Sequence, residues 1–395
     1  MTILYLADIR FPLERANGVH SMETCAALAE RGHNVHMLVR RDTVAPPRDP
    51  FAFYGVPSSP RITIERAPAP GLPAVRRAAY LARMAMRLPD RRWDAVYTPN
   101  LILAAAALRL PRSLRPPVVF ESHNFSPSFA QAAAHLETGS RGASAMKLGR
   151  LTRRERRVWR RAEGYVTTTR VLAADLAGRF GDRKHVATAP NGVRLDRIPA
   201  VAAPGHREGP PVVAYAGSLH PYKGVDTVVE ALAHVPQAHG LIIGGHPNDA
   251  PDRARLDELA QRHGVADRLT FTGLVPPGEV LDRLAAADVL AAPLLDMPHT
   301  RYDSPMKLFE YLALRRPIVA SDLVSLQEIF EDGRTARLVA PGDAAALGAG
   351  IRSVLNDPAA AERMAQAAFR EVAKYTWARR AERIEVLLDE VVAGA

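Results

Sequence analysis

One cysteine, Cys25, stands in a chain of 395 residues. A disulfide framework is therefore excluded. Cys25 lies on the apolar face of a helical repeat and reads as a buried thiol rather than a nucleophile. Long apolar runs are also missing. No stretch approaches the ~20 consecutive apolar residues that a membrane span requires, and Leu101 to Leu108 is closed by Arg109 and Arg112. The opening Met1-Thr2-Ile3-Leu4-Tyr5-Leu6-Ala7-Asp8 is too short for the apolar region of a secretion signal and has no basic start. A cytoplasmic chain, soluble or peripheral to the inner face of a membrane, is expected. Neither G-x-G-x-x-G nor the Walker spacing occurs, which argues against an ordinary dinucleotide-binding dehydrogenase or a P-loop. No metal-ligand cluster is legible, so no metal is expected. No stacking series of aromatics or recognised module points to nucleic acid.

Positive charge is what the chain has. Lys and Arg number 52 against 42 Asp and Glu, a formal net charge of +10. Such a surface favours polyanions: nucleotides, nucleic acid or anionic lipid. The apolar fraction of 47% and charged fraction of 24% are those of ordinary globular proteins. The length implies two or three domains.

Strand and helix alternate along the chain. Residues 3–7 predict a buried strand, followed by a loop through Asn17-Gly18. Met22, Cys25, Ala26, Leu28 and Ala29 predict a helix over 20–31, with Gly32 at its end and a strand over 34–39. Short strands are expected at 95–98, 118–121 and 164–168. The proline-rich stretches 43–60 and 67–73 read as loops. Residues 201–211 (VAAPGHREGPP) have no periodicity and read as a linker. The alternation then restarts, with strands at 212–216, 239–244, 269–273, 289–293, 318–321 and 336–339. Helices are expected between them at 225–234, 254–263, 277–286 and 306–314, and helices close the chain. The pattern predicts an α/β protein of two Rossmann-like, doubly wound parallel-sheet domains, 1–200 and 212–372, facing a cleft. Ligands of such sheets bind at the carboxyl ends of the strands.

Two segments of the second half carry chemistry. In Tyr302-Asp303-Ser304-Pro305-Met306-Lys307-Leu308-Phe309-Glu310-Tyr311, Ser304 suits an N-cap and Pro305 a first helical position. A helix starting there turns free N–H groups on what precedes it, an arrangement that binds phosphate. Lys307 in the first turn conflicts with the helix dipole, and an anionic ligand would remove the conflict. The bland reading is a solvated Lys307–Glu310 pair worth ~0.2–0.5 kcal/mol. In Tyr215-Ala216-Gly217-Ser218-Leu219-His220-Pro221-Tyr222-Lys223-Gly224, a strand passes to a helix, with Gly217 allowing close backbone approach. Its bland reading is an ordinary turn with a surface lysine. Asn17-Gly18 resembles an anion-binding turn.

Taken in order, these segments resemble glycosyltransferase family 4, of the GT-B fold. The resemblance also runs through ESHN at 121–124, APNGV at 189–193, LIIGG at 241–245, FTGLVPPGEV at 271–280, ADVLAAPL at 287–294 and YTW at 375–377. It implies a retaining, metal-independent transfer from a nucleotide sugar, UDP- or GDP-linked, with no further cofactor. Lys223 would hold the donor diphosphate and Glu310 the donor ribose. The helix start at Pro305 and Met306 would face the phosphates, with Ser304, Lys307, Leu308, Gly217, Ser218 and Gly245 around the donor. Gly18 would let its loop approach the phosphates. His123 would contact a sugar hydroxyl, its bland reading being a packed strand-end histidine; His20 reads as a plain helix-start residue. Residues 373–395 would pack back on the first domain.

Two positions depart from the family pattern. Ser218 stands where an arginine is common, and Tyr302 where the first glutamate of E-x7-E is expected. Asp303 would then supply the carboxylate and Lys307 the positive charge. The departures keep a non-catalytic partner subunit open as an alternative, beside a GT-B-like sugar-nucleotide epimerase. Finally, residues 147–161 (KLGRLTRRERRVWRR) place Leu148, Leu151, Arg154 or Glu155, and Val158 at helical spacing. One stripe is expected to pack on the lobe. The arginines are either a solvated face or a contact for an anionic membrane, with 76–92 as a second contact.

Overall fold

The structure is a computed structural model. It describes all residues except 45, 69–70, 137–141, 200–208, 247–248 and 395. The chain divides into two compact units. The first comprises Met1–Pro127, Ala145–Gly192 and Trp377–Ala395, and the second Ser128–Ser144 and Val193–Thr376. The change of unit thus falls at Gly192–Val193, ahead of the expected 201–211 linker, most of which lies outside the described residues.

Among the described residues the first unit holds a seven-stranded parallel sheet. Its elements run β1 (Thr2–Arg10), α1 (Ala16–Glu30), β2 (Asn34–Arg40), α2 (Pro50–Tyr54), β3 (Ile62–Ala67), α3 (Pro73–Arg87), β4 (Ala95–Thr98) and α4 (Leu101–Ala107). Then come β5 (Val118–Ser122), α6 (Ala145–Arg161), β6 (Gly164–Thr167), α7 (Arg170–Phe180) and β7 (Val186–Thr188), with α5 (Ser126–Leu136) between β5 and α6 in sequence but belonging from Ser128 onward to the second unit. The strand order is β3-β2-β1-β4-β5-β6-β7. The middle strands are buried on both faces, which is why they read as unbroken apolar runs: Ile3, Leu4, Tyr5 and Leu6 are fully buried.

The second unit repeats the plan in a six-stranded sheet, order β10-β9-β8-β11-β12-β13. Its elements are β8 (Val212–Ala216), α8 (Val225–Ala231), β9 (His239–Ile243), α9 (Ala250–Arg262), β10 (Leu269–Phe271) and α10 (Pro277–Ala285). β11 (Val289–Ala292), α11 (Met306–Ala313), β12 (Ile318–Ser321), β13 (Arg337–Val339), α12 (Ala344–Asn356) and α13 (Pro358–Glu371) follow. The closing helix, α14 (Trp377–Ala393), packs on α1 in the first unit. Glu385 of α14 there accepts from His33 at 2.8 Å and pairs with Arg31. In both sheets the order reverses beside the first strand, at β1/β4 and β8/β11, which is where ligands of open α/β sheets collect.

Proline-rich segments depart most from the sequence expectation. Asp49 caps α2 through Ala52 N–H at 3.0 Å and Pro50 is its first residue; Pro73 likewise opens α3. Both prolines start helices because a first-turn residue needs no N–H donor. β3, half-exposed beyond β2, lies between the stretches read as loops. The expected loop at Asn17-Gly18 is also corrected: both residues sit in the first turn of α1.

Candidate functional site

The second unit gathers most of the residues expected around the donor at the end of β8. Gly217 leaves the strand with φ +143°, its N–H donating to Ile243 O at 2.9 Å. A Cβ there would lie 2.9 Å from Tyr215 Oη. The chain turns through a short helical turn, Pro221–Lys223, into Gly224 at φ +73°, where a Cβ would be 1.8 Å from Pro293 O. This backbone is pressed against the end of β11, and glycine is needed for both the space and the sign of φ. Ser218 accepts the Tyr215 hydroxyl on its carbonyl at 2.8 Å. Gly245, after β9, has φ +153° beside Asp249.

α11 begins at Met306, with Pro305 rather than Ser304 as its N-cap, and no side chain caps it. Ser304 is buried, and Asp303 follows the short turn Thr300–Tyr302 with Tyr302 buried. Leu308 is a core residue. Lys307 is not part of a solvated pair. Its Nζ donates to Ala216 O at 3.1 Å and sits 3.8 Å from the centre of the Tyr215 ring. Burial lowers its pKa well below the usual lysine value, the charge of Lys223 lowers it further, and Glu310 only opposes this. Lys223 lies over the Tyr222 ring at 4.7 Å. Among the described residues neither ammonium is ion-paired to a carboxylate. Glu310 retains some exposed surface, yet burial raises its pKa, with Lys307 opposing. Its carboxylate accepts no hydrogen bond from the described residues. Two mutually repelling cations, a carboxyl without a donor and an uncapped helix start are left facing a ligand's needs: an anion for the first and last, hydroxyl donors for the second.

His123 and Gly18 belong to the first unit. A Cβ on Gly18 would strike Leu13 O at 2.3 Å and Tyr54 Oη at 2.4 Å, so its smallness is already used in seating α1 against α2. His123 Nε2 lies 2.7 Å from Glu121 Oε1, its side chain 38% exposed. Glu121 is fully buried. It also receives His20 Nε2 at 3.0 Å, Tyr97 Oη at 2.5 Å and the Arg380 guanidinium from α14. Burial pushes the Glu121 carboxyl up; Arg380, His20 and His123 outweigh it and hold it well below the carboxylate range. Burial pulls His20 down to about 4 against the pull of Glu121, so its ring is neutral near pH 7. Its Nδ1 meets Asn191 Oδ1 at 2.9 Å, and Arg380 also donates to Pro190 O at 3.2 Å. His20 is thus no plain helix-start residue but the buried partner of Glu121. Sequence reasoning missed it together with Tyr97, Asn191 and Arg380; only the APNGV segment hinted at the last contact.

No metal-ligand group was legible in the sequence, yet the fold brings two sets of possible ligands together. His20, Glu121 and His123 offer ligand atoms within 4.8 Å of one another, as do His220, His246 and Asp252. In the first set Arg380 already supplies the positive charge that Glu121 needs.

A sequence model described as "Glycosyl transferases group 1" matches residues 196–371, and one described as "Glycosyl transferase 4-like domain" matches 17–192. D-inositol 3-phosphate glycosyltransferase of Nocardia farcinica is 26% identical over 385 residues, 92% of this chain and 82% of that protein. Glycogen synthase of Mycobacterium tuberculosis is 30% identical over 291 residues, 71% of this chain but only 64% of the relative. Sucrose-phosphate synthase from Thermosynechococcus elongatus matches with TM-score 0.80 at 21% identity, over 100% of both chains. HepE of Anabaena in complex with UDP matches with TM-score 0.74 at 17% identity, over 99% of this chain and 100% of that one.

Proposed function

The chain belongs to the glycosyl transferases of group 1, with two Rossmann-like domains of the GT-B fold, and on that premise we propose that it moves a hexosyl group from a UDP- or GDP-sugar to an acceptor hydroxyl, with retention at the anomeric carbon and no metal. The observation that carries this is the Lys223–Lys307 pair: two amines beside one strand end, Lys307 pushed toward its neutral form by burial and by Lys223, with no carboxylate paired to either among the described residues. A diphosphate supplies what they lack. As the bond from the anomeric carbon to the diphosphate breaks, charge grows on the departing oxygen. Lys223 and the α11 start stabilise it, and losing one such donor typically costs ~3–4 kcal/mol of barrier. The acceptor hydroxyl attacks the same face, and its proton passes to the departing phosphate oxygen. Glu310, a carboxyl without a donor, takes the ribose hydroxyls. Lys307 stands in for the arginine absent at Ser218, Asp303 for the carboxylate absent at Tyr302, and His123 contacts a sugar hydroxyl.

Nucleoside diphosphate release from a panel of UDP-, GDP- and ADP-sugars tests the reading. One donor should be turned over, and Lys223→Ala should abolish release. A donor bound but never cleaved would instead make the chain a non-catalytic partner, the alternative that Ser218 and Tyr302 favour. Conversion of the donor sugar without any acceptor would make it an epimerase.

The acceptor is proposed to be a glycan, lipid-linked or natural-product hydroxyl. A lipid-linked one suits the surface of α6. Only Glu155, Val158 and Trp159 of that helix are buried, and Met146 is 79% exposed among its arginines. No helix of the described residues is long and apolar enough to cross a membrane. A cytoplasmic protein held peripherally on an anionic membrane fits this helix, with each basic residue near the surface worth ~1 kcal/mol. Equal co-sedimentation with neutral and anionic vesicles would end that part of the reading.

A further inference from the structure

A second group of side chains lies on the same unit and is not used by the transfer chemistry. His220 is the residue before the turn Pro221–Lys223, His246 follows β9, and Asp252 stands in the first turn of α9. His220 Nδ1 is 3.8 Å and His246 Nε2 3.6 Å from one oxygen, Asp252 Oδ2. Neither distance is a hydrogen bond. Both are close to the ~3.4 Å edge of a tetrahedron of ligands at ~2.1 Å from a shared ion. The other carboxylate oxygen faces Arg255 at 3.4 Å, which leaves Oδ2 for the imidazoles. The two rings lie with centroids 4.0 Å apart and planes 32° apart, and each offers a nitrogen to a group whose ligand atoms all lie within 4.8 Å of one another. Among the described residues the buried Nδ1 of His246 has no hydrogen-bond partner, while its Nε2 stays beside Asp252.

We propose that His220, His246 and Asp252 form a binding site for a divalent transition metal, of which Zn2+ is the best match. Two imidazoles and one carboxylate suit zinc and its neighbours in the first row, whereas Mg2+ and Ca2+ take oxygen ligands. The side chains of His220 and His246 are 24% and 20% exposed, enough for an ion to enter and for a water to complete a tetrahedron. The ion would tie three segments together: the β8–α8 turn that carries Lys223, the turn after β9 that carries Gly245, and the start of α9. Its role is to fasten the glycine-bearing turns, separate from the proposed metal-independent transfer.

The test is titration of the full chain, stripped with chelator, with zinc alone. One equivalent should bind at micromolar concentration or tighter and raise the melting temperature. His246→Ala and Asp252→Asn should each weaken binding at least tenfold while melting as the stripped wild type does. His123→Ala should leave zinc affinity unchanged, which separates this cluster from the one around Glu121. Substitution with Co2+ needs no variant: a tetrahedral visible spectrum with nitrogen and oxygen ligands is expected. No saturable zinc binding, binding that survives both His246→Ala and Asp252→Asn, or an octahedral Co2+ spectrum would overturn the assignment.

Discussion

Replacing His20 by glutamine should make the first unit less sensitive to acid. The imidazole falls from the ordinary 6.5 to about 4 because it is buried, and Glu121 only partly offsets this. Between those two values the unfolded chain holds a proton at His20 that the folded chain does not. Stability is then complete above pH 6.5 and drains away as pH falls toward 4, at up to ~1.4 kcal/mol per pH unit. At about pH 5 the wild type should have lost ~2 kcal/mol from this residue, and near pH 4 ~3 kcal/mol. The low carboxyl of Glu121 acts in the same direction but only below the normal carboxylate value, and it does so in both proteins. Glutamine offers Glu121 an N–H donor that does not titrate. The three tryptophans, Trp93, Trp159 and Trp377, all lie in the first unit, so tryptophan fluorescence during urea unfolding reports on that unit. The difference between variant and wild type should close by ~2 kcal/mol between about pH 7 and about pH 5. Parallel pH profiles for the two proteins would refute the reasoning, since they would mean that His20 carries its proton as an exposed histidine does.

Arg380→Met should lower the stability of the first unit by ~3–5 kcal/mol, because it strands the buried Glu121 carboxylate; urea unfolding by tryptophan fluorescence checks this. Gly224→Ala should cost at least ~2 kcal/mol, since the Cβ meets Pro293 O at 1.8 Å with φ at +73°, and should lower the melting transition of the second unit. Lys307→Met should separate stability from function. Removing a buried cation should leave the unliganded melting temperature equal or higher, while nucleoside diphosphate affinity falls about tenfold or more; a matched loss of both would contradict the role given to Lys307.

The repeated strand–helix pattern was legible because parallel strands buried on both faces become apolar runs, as in β8 and β11, and because the helix at α11 opens on a strong local signal. The prolines misled where they do two jobs. Pro50 and Pro73 begin helices, and the short strand β3 between them is half-exposed, with no continuous apolar run to mark it. That Lys223, Lys307 and Glu310 belong to neighbouring segments was legible from segment order and spacing. That Lys307 turns inward to Ala216 O was not, since helix spacing alone placed it beside Glu310. The network around Glu121 was hidden for a different reason: Arg380 is 259 residues away from it, and no local pattern joins an arginine of the last helix to a glutamate at the end of β5. His220, His246 and Asp252 likewise converge only because the segments after β8 and β9 and the start of α9 meet beyond the carboxyl ends of those two interior strands.

Calorimetry of UDP, GDP and ADP against the wild type, Lys223→Ala and Glu310→Gln tests the central claim most directly. At least one nucleoside diphosphate should bind the wild type; Lys223→Ala should bind it at least tenfold more weakly through the phosphates and Glu310→Gln more weakly through the ribose. No heat from any of the three nucleotides, or the same affinity in all three proteins, would contradict the account.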